Sequence, residues 1–316
     1  MLSLHTTPRT EGEVALPDGR LLAYAEYGPA DGSPVLFVPG AASGRLMNVG
    51  GAALDRLGVR LVSVDRPGLG RSTADPDKSL ASVAEDLRSL VRHLGADEIP
   101  VVANSQGAPF GLAVAAAGTA SRLILVSPAD EVARPDLRRL LPPGLADLVD
   151  RAVADPEGAR AFFAGLDPST MFAMVLGTVL DVDAPVYGDP VFRAHFRRVL
   201  DDAFAQGSDG YAQDTLIAMR PWDLPLDEIR VPVEIWHGDL DTGHSPDLGA
   251  SLAQRMPTAV HRLVPGAGGS LLWAHPEAIL AAASSHGSRP TASGGMEPTP
   301  PLRPADREGA HHDHRP

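Results

Sequence analysis

The sequence predicts an α/β protein with a doubly wound, mostly parallel sheet that is interrupted by a helical insertion. Six short apolar runs show little alternation, which is typical of strands buried on both faces of a parallel sheet. Helical patterns lie between most of these runs and favour right-handed βαβ crossovers. The alternation stops between about residues 130 and 220, where no good strand candidate occurs.

A β-hairpin is predicted at the start of the chain, over residues 12–28, with a turn at Pro17-Asp18-Gly19. The six apolar runs then follow at 34–38, 60–64, 99–103, 122–126, 231–236 and 260–264. The clearest helical stripe has spacings of three and four residues and consists of Leu80, Val83, Leu87, Leu90 and Leu94. Gly95 is a plausible end for this helix.

The stretch without strands predicts a helical cap. Its expected helices cover 136–153, 156–164, 168–181, 189–206 and 208–219. We therefore expect a core at 1–129 and 221–285, a cap at 130–220, and a disordered tail of Ser, Gly, Pro, Arg and His at 286–316. Phenylalanine and methionine concentrate in the cap, and an apolar cap favours a poorly water-soluble substrate.

Composition narrows the possible partners and compartments. The 316 residues include 40 acidic and 27 basic side chains, a net charge of −13, which argues against nucleic acid or an anionic membrane as a partner. With no cysteine there is no disulfide and no Cys-ligated metal. No signal peptide is recognisable, and the longest apolar run, at 171–180, is shorter than the roughly 20 residues that span a bilayer. We expect a cytoplasmic protein without metal or cofactor, and the oligomeric state is left open.

The segment Ala103-Asn104-Ser105-Gln106-Gly107 carries the first sign of chemistry. It lies between a predicted buried strand and a helix of small residues. A nucleophile elbow has this arrangement, because its tight turn requires small residues two positions before and two after the serine. The turn holds the serine in a strained conformation at the end of the strand. Ser105 is therefore the candidate nucleophile.

Four motifs in this order resemble the α/β-hydrolase superfamily. They are Val64 to Ser72, the elbow at Ser105, His237 to Asp241, and Pro265 to Glu277. The resemblance covers about residues 12–285 and is to the cap-bearing branch, which includes esterases, lactonases, haloperoxidase-like proteins and several non-hydrolytic members. It implies a sheet of the α/β-hydrolase type with a helical cap insertion and cofactor-independent chemistry on a small organic substrate.

The resemblance also implies roles for individual residues. Ser105 matches the nucleophile and Asp241 the acid, with Asp239 as a weaker alternative acid. The oxyanion donors would be the backbone N–H groups of Gln106 and Ala41. Pro39, two residues before Ala41, stands where the family usually has a histidine, and its side chain cannot donate a hydrogen bond to support this loop. Two further loop residues, Asp65 and Arg66, are interpreted as structural turn residues.

The usual base is missing from the sequence. The family has a histidine after the last strand, and this chain has Gly269, which can neither take nor return a proton. His244, three residues after Asp241, is the first substitute, and a solvent-exposed loop histidine is the alternative interpretation. The other histidines are interpreted as structural: His275 at a helix start, His237 as a hydrogen-bonded core residue, and His261 as facing away.

Three functional hypotheses follow. The favoured one is a non-hydrolytic enzyme of specialised metabolism, which cyclises, eliminates or isomerises a small, largely apolar substrate by proton transfer. In it, Asp241 lies under an apolar cap without its histidine, and burial raises its pKa. The second is an esterase or lactonase with His244 as the relocated base, and the third is a non-catalytic binding protein. If only the imidazole is missing, Gly269→His is expected to create esterase activity.

Overall fold

An eight-stranded sheet forms the centre of the computed structural model, which describes residues 4–285. The strand order is β1-β2-β4-β3-β5-β6-β7-β8. The bounds are β1 Thr10–Ala15, β2 Leu21–Tyr27, β3 Ser33–Val38, β4 Val59–Val64, β5 Ile99–Asn104, β6 Ala120–Val126, β7 Val233–Gly238 and β8 Ala259–Val264. The predicted tail at 286–316 lies outside the described residues.

Most neighbouring strands run parallel, as the sequence predicted. Strand β1 pairs antiparallel with β2, and β2 pairs antiparallel with β4. From β4 through β3, β5, β6 and β7 to β8 every pairing is parallel. The predicted fold class is confirmed, and each of the six apolar runs overlaps one of the strands β3 to β8.

Helices cover both faces of the sheet. Their bounds are α1 Ala52–Leu57, α2 Leu80–His93, α3 Ala108–Ala116, α4 Pro135–Arg138, α5 Pro143–Ala154, α6 Pro156–Ala164, α7 Pro168–Gly177, α8 Ala184–Tyr187, α9 Pro190–Ala203, α10 Asp209–Met219, α11 Ala250–Gln254, α12 Leu271–Ala274 and α13 Pro276–Ser284. Successive strand residues point to opposite faces. Val35 and Phe37 therefore pack in the core that includes α1 and α13, and Leu36 and Val38 pack in the core that includes α2 and α3.

Between β6 and β7 the described chain contains helices and turns but no strand. Helices α4 to α10 lie here, in the stretch predicted as a cap. The single helix expected at 136–153 is wrong, because Pro142 has an extended backbone and α5 begins at Pro143. The short helix α8 was not predicted either, since four residues carry too little periodicity to be recognised.

The last strand, β8, is an edge strand and differs from the sequence prediction of burial on both faces. Within residues 4–285 only β7 pairs with it, and Val260 and Leu263 are 48% and 49% exposed. An apolar run alone does not reveal whether a strand lies in the centre or at an edge.

No single helix within residues 4–285 is long and apolar enough to cross a membrane. Pro168–Gly177 and Asp181–Tyr187 reach the required length and composition only when taken together, and they are bent by 114° relative to each other.

Candidate active site

Loops from the carboxyl ends of β3, β5 and β7 meet at one cavity. In parallel α/β sheets this edge, near the point where strand order reverses, is the usual ligand site. The cavity has a volume of about 230 Å³. It is lined by Gly40, Ala41, Ser43, Met47, Asn104, Ser105, Val175, Thr178, Val179, Leu180, Asp183, Tyr187, Phe196, Asp241, Thr242, Gly243, His244, Gly269 and Trp273.

Ser105 has the strained backbone of a nucleophile elbow. Its φ is +50°, in the left-handed region that residues with a side chain rarely adopt. The turn is held from both sides. A Cβ on Gly107 would lie 2.3 Å from the carbonyl oxygen of Val38, and a Cβ on Gly40 would lie 3.1 Å from the Cβ of Ser105. The elbow therefore packs directly on the loop after β3, and only small residues fit between them.

Asp241 and His244 form an acid–imidazole pair within one loop. The Nδ1 atom of His244 lies 2.8 Å from Oδ2 and 2.9 Å from Oδ1 of Asp241, and the N–H of Gly243 donates to Oδ1 at 3.0 Å. Since a carboxylate only accepts hydrogen bonds, Nδ1 carries the proton. With the proton on Nδ1, a neutral imidazole in this position has a lone pair on Nε2, which is what a general base requires.

The imidazole of His244 lies against Gly269. A Cβ on Gly269 would be 3.1 Å from Cε1 of His244 and 3.4 Å from Oδ1 of Asp241. The glycine therefore leaves room for an imidazole that comes from another loop. The expectation that Asp241 lacks a histidine partner is wrong.

The expected rise in the pKa of Asp241 is wrong for the same reason. Burial does raise the pKa of this carboxyl, but the hydrogen bonds from His244 and Gly243 outweigh burial and lower it to about 2. Asp241 therefore titrates far below neutral pH and is suited to orient and stabilise an imidazolium rather than to transfer protons itself.

The remaining predicted residues are placed as follows. Asp239 is exposed, does not line the cavity, and accepts the N–H of Gly266 at 2.7 Å, as a loop residue would. His275 is exposed, and His261 contacts the carbonyl of Leu248 at 2.8 Å through Nε2.

Among the described residues, no hydrogen bond joins the Ser105 hydroxyl to His244, although both line the cavity. Catalytic hydrogen bonds often tighten only in the substrate complex.

Asp183 is a cavity residue that sequence reasoning missed. It is buried and accepts the N–H of Ser270 at 2.9 Å and that of Gly269 at 3.2 Å. A Cβ on Gly268 would lie 2.3 Å from Oδ2 of Asp183, so a larger residue there would displace this carboxylate. No local signal identifies Asp183, because its partners lie more than 80 residues further along the chain.

His237 lies at the end of β7, beside Asp241. It is fully buried, and its Nε2 is 3.8 Å from Oδ2 of Asp241. Neither ring nitrogen has a hydrogen-bond partner among the described residues, so the prediction of a hydrogen-bonded core histidine is wrong in that respect. Burial lowers the pKa of His237 to about 4, which keeps the ring neutral at pH 7.

This buried imidazole is expected to make the protein less stable in acid. The pKa of His237 is about 4 when folded and about 6.5 when unfolded, so the unfolded chain binds the proton first as pH falls. The stability is complete above about pH 6.5 and is lost as pH falls towards 4, by about 3 kcal/mol. His237→Phe should flatten this dependence in urea unfolding at a series of pH values. The exposed control, His275→Phe, should retain it, and equal slopes in the two variants would contradict the expectation.

Comparison with known proteins identifies the fold. Residues 33–181 match the family described as alpha/beta hydrolase fold. The chain is 34% identical over 98 residues to the uncharacterized hydrolase YcgS of Bacillus subtilis (strain 168), a match that spans 31% of this chain and only 34% of that relative's length. A hydrolase from Pseudomonas aeruginosa PA01 has a similar structure, with a TM-score of 0.65, 22% identity, and coverage of 88% of this chain and 99% of the other. A thermophilic esterase from Thermogutta terrifontis also has a TM-score of 0.65, with 20% identity and coverage of 86% and 96%. This chain has the α/β-hydrolase fold.

Proposed function

We propose that this chain is a carboxylic-ester hydrolase, an esterase or lactonase, with Ser105 as nucleophile, His244 as base and Asp241 as acid. The observation that carries the proposal is the bond of 2.8 Å between His244 Nδ1 and Asp241 Oδ2, in a cavity that Ser105 also lines. The hypothesis of non-hydrolytic chemistry rested on an Asp241 carboxylate without an imidazole partner. Because His244 contacts that carboxylate, the hypothesis loses its main support.

The proposed reaction follows the acyl-transfer scheme of serine hydrolases. Oγ of Ser105 attacks the ester carbonyl while Nε2 of His244 accepts the proton of the Ser105 hydroxyl. Asp241 stabilises the resulting imidazolium. The N–H groups of Ala41 and Gln106 donate to the oxyanion of the tetrahedral intermediate. The intermediate collapses, and the alcohol leaves with the proton from His244. Water, deprotonated by His244, then attacks the acyl-enzyme and releases the acid and free Ser105.

The lining of the cavity supports a small, largely apolar and uncharged substrate. Val175, Val179, Leu180, Phe196 and Trp273 supply apolar surface. Besides the acid–imidazole pair, the ionisable side chains of the lining are those of Asp183 and Tyr187, and no arginine or lysine of the described residues lines the cavity. A substrate carboxylate would find no cationic partner among these residues and would lie near the carboxyl group of Asp183.

A fluorophosphonate probe tests the proposal directly. We expect the folded protein to form one adduct, mapped to Ser105 by mass spectrometry, and to hydrolyse short-chain p-nitrophenyl esters. Heat-unfolded protein is the control, because an unfolded serine has no base beside it and stays unlabelled. A folded protein that forms no adduct and hydrolyses no ester would contradict the proposal. The two remaining hypotheses would then be proton-transfer chemistry and ligand binding without catalysis.

A further inference from the structure

A cluster of buried charges lies behind the loop that carries Ala41. The side chains of Arg66, Lys78 and Asp214 are fully buried. Nε of Arg66 donates to Oδ2 of Asp214 at 2.8 Å, and Nζ of Lys78 lies 2.5 Å from Oδ1. Lys78 is the only lysine of the chain. Burial of ionisable side chains is costly unless good geometry and further hydrogen bonds compensate for it, so two basic groups buried with a single carboxyl group call for an explanation.

The free end of Arg66 is directed at the loop after β3. Nη1 donates to the carbonyl of Pro39 at 2.5 Å, and Nη2 donates to the carbonyl of Gly40 at 3.0 Å. Among the described residues, no other donor reaches either of these two carbonyl oxygens. The fork of a guanidinium suits two adjacent carbonyls, which the single ammonium group of a lysine does not match.

The carbonyl of Gly40 and the N–H of Ala41 belong to the same peptide. In a trans peptide these two groups point in opposite directions. Arg66, which holds the carbonyl of Gly40, does not line the cavity, whereas Ala41 does, so the N–H of Ala41 is expected on the cavity side. No acceptor within residues 4–285 receives that N–H, which leaves it free to donate to an oxyanion.

The orientation of the Gly40–Ala41 peptide has to be fixed by contacts from outside the loop, because close packing at Ser105 places a flexible glycine at position 40. A Cβ at position 40 would crowd the Cβ of Ser105 at 3.1 Å, so this position favours glycine, which has the widest backbone freedom of any residue. Two residues later, Ala42 has a strained φ of +50°. Pro39 supplies no side-chain donor, so the support must come from elsewhere.

We propose that Arg66, anchored by Asp214, is the positioning residue that fixes the Gly40–Ala41 peptide with its N–H directed at the oxyanion. Its catalytic consequence rests on the proposed ester hydrolysis. Helix α10 supplies the anchor, and the next residue, Thr215, accepts from the side chain of Gln106 at 3.0 Å. Adjacent residues of one helix thus hold both loops that carry the oxyanion donors.

Arg66→Lys is the decisive variant, since it keeps the charge but cannot hold two carbonyls and Asp214 together. We expect its crystal structure to show the carbonyl of Gly40 turned towards Ser105. We also expect kcat for esters to fall on the order of 10²- to 10³-fold with little change in KM, as for loss of one oxyanion donor. The matched control is Arg71→Lys, because Arg71 is half exposed and pairs with Glu11 and Glu13. It should behave as wild type.

Asp214→Asn is the second variant and applies if Arg66→Lys does not fold. It leaves Arg66 without its charged anchor and should cause a smaller loss in kcat, again without a loss in KM. An unchanged Gly40–Ala41 peptide overturns the proposal, as does an unchanged kcat in a folded variant. The orientation of the peptide can be read even if the wild type hydrolyses no ester, so failure of the proposed function and failure of this inference are distinguishable.

Discussion

Replacing His244 with alanine is expected to lower kcat for ester hydrolysis about 10⁴-fold or more. Without the imidazole, nothing takes the proton of Ser105, and Asp241 is left buried without the donor that lowers its pKa to about 2. Ser105→Ala should cause a loss of similar size. The double variant should be no worse than either single one, because the two groups act as a unit. Steady-state kinetics with a p-nitrophenyl ester measures all three.

The control for His244→Ala is His275→Ala. His275 is exposed and does not line the cavity, so its removal should leave kcat unchanged. If the His244 variant is folded, as judged by circular dichroism, and keeps more than about a tenth of the wild-type kcat, His244 is not the base.

Moving the imidazole back to position 269 is expected to rescue much of this loss. In the double variant His244→Ala/Gly269→His, the new side chain enters the space that His244 has left, beside Oδ1 of Asp241. The backbone at Gly269 is not in the left-handed region, so histidine can adopt it without strain. We expect kcat about 10²- to 10³-fold above that of His244→Ala, short of wild type because the new ring is not preorganised.

Gly269→His alone should have the opposite effect. Its Cβ would lie 3.1 Å from Cε1 of His244, so the two rings compete for one space and activity falls. This reverses the expectation from the sequence that the single change creates activity. The control is His244→Ala/Gly269→Ala, which adds a methyl group without a base. Equal rates for the histidine and alanine double variants would show that position 269 cannot supply the imidazole.

The fold was predictable from the sequence because its signals are local. Each parallel strand is a short apolar run, and α2 shows an apolar stripe at helical spacing. Whether an apolar strand lies in the centre or at an edge of the sheet depends on residues far along the chain. The run at β8 carries no information on this, and β8 was therefore expected to be buried. The split between α4 and α5 was also missed, although Pro142 and Pro143 are local signals for it.

The site was predictable only where a motif defined it. Ser105 and Asp241 follow strands and belong to short patterns that recur in the family, so their convergence at one edge of the sheet was expected. The orientation of His244 was not predictable, because the local sequence of a loop histidine does not show whether its side chain faces a cavity or solvent. Arg66 and Asp183 act through partners 26 to 148 residues away, and no pattern within either segment records those contacts.

The acid and the imidazole of this protein lie only three residues apart on the loop after β7, and the loop after β8 contributes a glycine. Under the proposed function, a genome survey that recognises active members by a histidine after the final strand would class this chain as inactive. A more inclusive search pattern combines a histidine three positions after the aspartate with a glycine at the position after the last strand where the family usually has its histidine. Sequences set aside as inactive can be searched again with that pairing.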